Sequence, residues 1–100
     1  RLIRKEVQLD MPAMKDISFS LRKQSKLVLV LAAKKKEKAI LSVMITDDLV
    51  SLGLNAIDIV LDISKCIDGS GGGQPFFATA GGSNPKGVQK ALQRVDLLLK

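Results

Sequence analysis

Hydrophobic positions along the chain follow two different spacings, which together indicate both strands and helices. Two continuous apolar runs, residues 27–33 and 39–45, have the length of buried strands. The short charged connection between them, residues 34–38, predicts an antiparallel hairpin. Residues 2–9 show a weaker, alternating strand pattern. A further short strand is expected at residues 76–80, so the chain should contain about four strands.

Apolar residues at helical spacing predict four helical segments among these strands. The first covers residues 10–24, the second is a short turn at residues 46–53, and the third is a longer helix over residues 55–67. Ser83 or Asn84 caps the last helix, which runs to the end of the chain. The order strand-helix-strand-strand-helix-helix-strand-helix predicts one α/β domain over all 100 residues. Its sheet should be mixed, because a helix between the first two strands makes them parallel.

The stretch between the third helix and the last strand is dominated by glycine. Residues 68–82 hold six of the eight glycines. Three in a row, Gly71–Gly73, would each destabilise a helix by roughly 1 kcal/mol, and we therefore expect a loop here. A run of bare backbone amides can form an anion-binding concavity. A flexible connection is the alternative, although the stiff pair Gln74-Pro75 counts against it.

The charge distribution favours a polyanionic partner. The net charge is +6, made up of +7 over residues 1–38, −4 over residues 39–68 and +3 over residues 69–100. A basic excess at both ends of a domain suits nucleic acid, and a solvated lysine-rich surface is the alternative. Two groups of cations are candidates for phosphate contacts, one at the hairpin tip and one on the outer face of the last helix: Lys34, Lys35 and Lys36, and Lys86, Lys90 and Arg94.

The chain lacks the residues of a catalytic site. It has no histidine, and its one cysteine, Cys66, has no base to activate it and is expected as a small core residue. Asp58 and Asp62 lie one helical turn apart, but without a third ligand a solvated strip is favoured over a metal site. The glycine run also lacks the lysine of a Walker loop. We therefore expect no catalytic residue, metal or cofactor in this domain.

The cellular setting follows from two further observations. A single cysteine excludes an internal disulfide and fits a reducing, cytoplasmic environment. No apolar run approaches 18 residues, so no transmembrane helix is expected. Because the chain starts at Arg1 without an initiator methionine, we expect a fragment of a longer protein.

The glycine-rich segment also carries a resemblance to a known family. The segments Gly71-Gly72-Gly73-Gln74-Pro75, Ala80-Gly81-Gly82 and Asn84-Pro85-Lys86-Gly87, the last of which opens a helix, resemble the C-terminal domain of bacterial alanyl-tRNA synthetases. That domain belongs to the DHH-associated domain family, and the resemblance covers essentially the whole chain. Two departures stand out: Gln74 replaces a common arginine and Phe76 a common aspartate.

The resemblance implies a non-catalytic tail of a much larger ATP-dependent alanine–tRNA ligase. Such a tail binds the elbow of tRNA-Ala and supports aminoacylation and editing by the upstream domains, to which any ATP or zinc would belong. A second copy of the chain is a further implied partner. Two alternatives stay open, the nucleic-acid-binding domain of a DHH-type phosphoesterase and a structural dimerisation module. The motif implies that six residues face RNA: Gly71, Gly72, Gly73, Gln74, Gly81 and Gly82. The cations named above, Lys86 among them, are added as candidates because of their positions in the sequence.

Overall fold

The computed structural model describes residues 2–8 and 10–98 of the chain, which form a mixed β-sheet with helices on both faces. The sheet order is β1-β2-β3-β5-β4, with β1 and β2 parallel and all other neighbours antiparallel. This confirms the α/β class, the parallel first pair and the central hairpin. Within the described residues the strands number five rather than about four: β1 (Leu2–Val7), β2 (Val28–Lys35), β3 (Lys38–Ile45), β4 (Gly69–Gln74) and β5 (Phe77–Gly82).

Two of the helices begin at a polar side chain that caps them, whereas Asn84, one of the two residues expected to cap the last helix, makes no capping bond. Asp10 accepts a hydrogen bond from the amide of Ala13 at 3.1 Å, and Asn55 accepts one from the amide of Ile57 at 2.9 Å. The third helix ends at Ile63, four residues earlier than predicted, and continues as a 3-10 turn. The helices are α1 (Met11–Leu21), α2 (Asp47–Ser51), α3 (Ala56–Ile63) and α4 (Val88–Leu98), with 3-10 turns at Ser64–Ile67 and Pro85–Gly87.

Two hydrophobic clusters fill the space on either side of the sheet. On one face, α3 and α4 bury side chains against the alternate strand residues Val30, Leu41 and Val43. On the other face, α1 places Met14 against a second set that includes Leu29 and Met44. Because side chains alternate across a strand, these sets point to opposite faces. The glycine-rich strands lie at one edge of this two-sided core.

The prediction of a loop at residues 69–73 is wrong, because this run forms the edge strand β4. Its pairing with β5 depends on the absence of side chains. A Cβ atom on Gly69, Gly71 or Gly73 would lie within 3.0 Å of backbone atoms of β5, closer than real Cβ atoms approach. Glycine is therefore what allows these two strands to pair.

Three smaller predictions also need correction. Lys34 and Lys35 belong to β2, and the hairpin tip is a two-residue turn in which Lys36 takes the left-handed φ of 51° that reverses the chain. The last strand begins one residue later than predicted and includes Gly81 and Gly82. The buried stripe of α4 ends at Val95, so that Leu98, predicted to be buried, is 37% exposed. The predicted contributions of Leu9 and Leu99 lie outside the described residues.

Candidate nucleic-acid interface

The six motif residues predicted to face RNA lie on one hairpin, formed by β4 and β5. Gly72 pairs with Thr79 in the register of this hairpin, and Gln74 pairs with Phe77. Gly81 pairs with Ser70. Since β4 is the last strand of the sheet, no strand among the described residues pairs with its outer side. The hairpin therefore combines an open edge with two stretches of backbone that carry no side chains.

Gly72 and Gly81 differ from the other glycines of the motif because the fold does not require them. A Cβ on Gly72 would meet no atom within 4 Å, and one on Gly81 would meet only the carbonyl oxygen of Ala39 at 4.0 Å. Neither residue has a positive φ. By contrast, a Cβ on Gly82 would collide with the carbonyl of Ile67. Glycine at positions 72 and 81 leaves backbone open to close approach from outside.

This open backbone lies on the face of the sheet that carries α1. Phe77, Thr79 and Gly81 alternate with residues of the opposite face, and Phe77 belongs to the cluster beneath α1. Gly72 sits beside Thr79 on this same face. The sequence analysis did not connect these glycines with α1.

Three phenylalanine rings join α1 to the glycine hairpin. The ring of Phe19 lies 5.1 Å from that of Phe77 in an edge-to-face arrangement and 6.3 Å from that of Phe76. Phe77 is buried, whereas Phe19 is 40% exposed. The rings form one wall of a pocket of about 250 Å³, which is lined by Lys15, Phe19, Gly72, Gly73, Gln74, Phe76, Phe77 and Thr79.

Two cations from α1 and its C-cap lie over these rings. The Nζ atom of Lys15 is 5.4 Å from the centroid of the Phe19 ring. The guanidinium of Arg22 stacks on Phe76 at 3.7 Å and pairs with Asp47 at 3.3 Å. The hydrophobic pattern of the sequence did not indicate a functional role for Lys15 or Arg22. The one available signal was Phe19, an aromatic residue that lies off the buried stripe of α1.

A second group of cations collects at the other end of the hairpin. Lys34 pairs with Ala39 across the sheet, and Ala39 pairs in turn with Gly82, so all three lie at one level. Lys34 also forms an ion pair with Glu6 at 3.8 Å. Lys36 is exposed in the turn just beyond, and the exposed Lys86 follows shortly after β5. The side chain of Lys35 lies outside the described part of the structure.

Lys34 alternates along β2 with Ala32 of the α3–α4 cluster, so its side chain lies on the face of the sheet opposite the open backbone of Gly72 and Gly81. Lys90 and Arg94 lie on that face as well. They line a cleft of about 440 Å³ with Asp62 of α3 and the half-buried Cys66. The guanidinium of Arg94 donates a hydrogen bond to Asp62 at 2.9 Å, which raises the pKa of Arg94. Cys66 thus packs at the margin of the core rather than inside it. Lys86, the first cation of the predicted row, does not line this cleft.

The described residues contain no group of three or more histidine, cysteine or acidic side chains that could hold a metal ion. Asp62, one of the two acids weighed as metal ligands, is engaged by Arg94. None of the described helices is long and apolar enough to cross a membrane.

A family model for the DHHA1 domain matches residues 5–100. This chain belongs to the DHHA1 domain family. The domain is 45% identical over 98 residues to an alanine–tRNA ligase of Christiangramia forsetii, and this match covers 96% of this chain and 11% of that protein. An alanine–tRNA ligase of Bacteroides fragilis is 46% identical over 91 residues, and this match covers 87% of this chain and 10% of that protein. The chain thus spans about one tenth of the length of these relatives.

A solved structure shares the fold of this DHHA1 domain. It is the C-Ala domain from Aquifex aeolicus alanyl-tRNA synthetase, with a TM-score of 0.90 over 98% of this chain and 89% of that one. The two sequences are 22% identical, so the likeness establishes the fold alone. The family expected from the glycine motif is therefore confirmed.

Proposed function

We propose that this DHHA1 domain is the tRNA-binding tail of an alanine–tRNA ligase, which holds the elbow of tRNA-Ala for the other domains of the enzyme. The observation that carries this proposal is the open backbone at Gly72 and Gly81, where packing does not require glycine. Bare strands of this kind let a phosphate backbone approach closely. The relatives named above, which are alanine–tRNA ligases, support this assignment.

Cationic side chains lie at both ends of the open backbone. Lys15 lies beside Gly72 in the ring-lined pocket. At the end where β5 finishes, Lys36 lies in the hairpin turn and Lys86 follows the strand, while Lys34 lies at the same level on the opposite face of the sheet. A six-residue strand is about 17–20 Å long, so these groups span an extended surface rather than a single point. A folded RNA with a continuous phosphate backbone matches such a surface, because cations position phosphates while the bare strands permit contact.

The chemistry of the ligase belongs to other domains in this proposal. The described residues offer no metal cluster, and the chain contains no histidine for general base catalysis. This domain contributes binding and orientation of the tRNA, in a cytoplasmic protein whose upstream domains use ATP. The absence of histidine and the named relatives favour a ligase tail over a phosphoesterase domain.

The proposal is tested by fluorescence anisotropy of the 100-residue chain across a salt series. The RNAs are whole tRNA-Ala and an acceptor-stem minihelix that lacks the elbow. We expect tighter binding to whole tRNA than to the minihelix. The logarithm of the affinity should fall linearly with the logarithm of the salt concentration. Lys86→Glu should weaken binding and reduce the salt slope by about 1 or more, because a phosphate contact is lost.

The matched control is Lys5→Glu, which makes the same charge change on β1 at the opposite edge of the sheet. This variant should bind close to the wild-type affinity. Equal, weak binding to both RNAs, with the two variants equally impaired, would mean that overall charge alone attracts RNA. The elbow-binding function would then be abandoned.

Self-association is a second candidate function, favoured by exposed leucines on the α3–α4 side. Leu61 is 46% exposed and Leu97 is 63% exposed, and neither contributes to the core. Such side chains on neighbouring helices can form an apolar contact with a second copy. Sedimentation of the chain at micromolar concentration decides the matter: a monomer counts against this function, and a dimer that Leu97→Ser dissociates supports it.

A further inference from the structure

We infer that the pocket between α1 and β4 accepts one unstacked nucleobase of the bound RNA, an inference that rests on the RNA-binding function proposed above. The pocket combines an exposed aromatic ring, a bare glycine strand and flanking cations. These features have separate structural causes, and their meeting in one place is what requires explanation.

One wall of the pocket contains the ring of Phe19, which packing within the domain buries only in part. Phe19 is 40% exposed although Phe76 and Phe77 lie close enough for it to pack against them. An exposed aromatic ring gains from a planar partner, and stacking on an aromatic side chain suits every base because each has a π-face. The wall therefore offers a stacking surface for a single base.

The opposite side of the pocket is open because Gly72 has no side chain. No atom lies within 4 Å of where its Cβ would be, so a side chain here would occupy the pocket itself. Gln74 and Thr79 also line the space, and their amide and hydroxyl groups can hydrogen-bond the edge of a base. The volume of about 250 Å³ falls below the roughly 300–1,000 Å³ of drug-sized sites, which suits one ring system.

The charges around the pocket favour a nucleotide over an apolar peptide side chain. Lys15 lies over Phe19 at 5.4 Å, and its long stem can carry the ammonium to a phosphate next to the stacked base. Arg22 stacks on Phe76 at 3.7 Å from the ring centroid and adds a second cation to this cluster of rings. A nucleotide supplies both the planar ring and the adjacent negative charge that this arrangement matches.

Phe19→Trp provides a direct test, because the chain contains no tryptophan or tyrosine. The new indole becomes the single reporter, and it retains the capacity to stack. Adding tRNA-Ala should quench its fluorescence. The matched control is Ile17→Trp, at a position on the same helix that is 39% exposed and does not line the pocket. Its fluorescence should stay unchanged.

Affinity measurements complete the test. Phe19→Leu, which keeps apolar packing against Phe77, and Gly72→Val, which fills the pocket from the strand side, should each weaken binding of tRNA-Ala by about fivefold or more. The salt slope should stay unchanged, since neither variant removes a cation. Ile17→Leu should bind as the wild type does. Far-UV circular dichroism confirms that each variant is folded.

The outcomes separate this inference from the function on which it rests. Quenching at position 19 together with weaker binding of both pocket variants supports a base pocket. Wild-type affinity in Phe19→Leu, or no quenching, overturns it, while the elbow-binding function stands if Lys86→Glu and Gly72→Val still weaken binding. If the wild-type chain shows no preference for whole tRNA, both fail.

Discussion

Replacing Gly71 or Gly72 with alanine should have opposite effects on stability, although the two residues are adjacent. A Cβ on Gly71 would lie within 3.0 Å of the carbonyl oxygen of Thr79 and of two atoms of Ala80, whereas one on Gly72 would meet nothing within 4 Å. Neither residue has a positive φ, so backbone strain does not complicate the comparison. The pair isolates the effect of strand proximity from the effect of glycine itself.

The magnitude follows from how far β4 must move. Relieving the contact at Gly71 requires the strand to shift by about 1 Å, which stretches a ladder hydrogen bond from about 2.9 Å to beyond its useful range. Each lost bond costs about 1 kcal/mol, and overpacking adds about 1–3 kcal/mol. We expect Gly71→Ala to lower the free energy of unfolding by about 2–3 kcal/mol. Gly72→Ala should raise it by up to about 1 kcal/mol, because the unfolded chain loses freedom.

Urea denaturation followed by far-UV circular dichroism measures this difference, since the chain has no tryptophan to report tertiary structure. For a domain of this size, the loss in Gly71→Ala corresponds to a fall of about 10–20 °C in Tm. The slope of the free energy with urea should stay constant if both variants unfold from the same fold. Equal midpoints for the two variants would refute the conclusion that β4 is a tightly paired strand.

Two further predictions concern polar side chains that cap or join elements. The hydroxyl of Thr46 donates a hydrogen bond to the carboxylate of Asp48 at 2.6 Å, and this bond is the main cause of a pKa of Asp48 below the ordinary 3.8 in the folded protein. The stability that the Asp48 carboxylate contributes is therefore present above pH 3.8 and is lost as the pH falls through the lowered pKa. Urea midpoints should separate Asp48→Asn from the wild type at pH 7 and converge in strong acid; a constant difference would contradict this. Asn55→Ala should cost about 1 kcal/mol in the same assay, because the cap on α3 is lost. Asn84→Ala, whose side chain makes no capping bond, should change stability by less than about 0.5 kcal/mol; equal losses would reject the capping argument.

Most of the fold could be predicted because its strongest patterns are local. The continuous apolar runs of β2 and β3 indicated two buried strands, and the helix starts predicted at residues 10 and 55 lie within one residue of the observed ones. These signals lie within a few residues of the elements they specify. Their reliability reflects agreement between local preference and the final packing.

The edge strand could not be predicted from propensity, because glycine is unfavourable in strands on average. That average assumes that a strand gains by packing side chains against its neighbour. In β4 the gain comes from removing them, since Gly69, Gly71 and Gly73 would collide with β5 if they carried a Cβ. The reason lies in the closeness of two particular strands, and no property of residues 69–73 alone contains it.

The pocket beside α1 was beyond prediction for a related reason. Lys15 and Phe19 are separated from Gly72 by more than 50 residues, and they meet because α1 crosses the sheet face next to the glycine edge. Helical spacing grouped Lys86 with Lys90 and Arg94 in one row. In the structure, Lys90 and Arg94 line a cleft on the face of the sheet opposite the pocket, and Lys86 does not line that cleft. Periodicity identifies a shared helix face, whereas a shared surface also depends on where that helix packs.

The alternation of side chains in β4 explains why one run of glycines can serve both stability and binding. Odd-numbered positions of the run, including Gly71 and Gly73, face the backbone of β5 too closely for any side chain. The even-numbered Gly72 faces the α1 side, where space is open. Substitutions at odd positions should therefore act through stability, and those at Gly72 through ligand access. A variant of Gly72 that folds normally and loses RNA binding would separate the two roles within a single tripeptide.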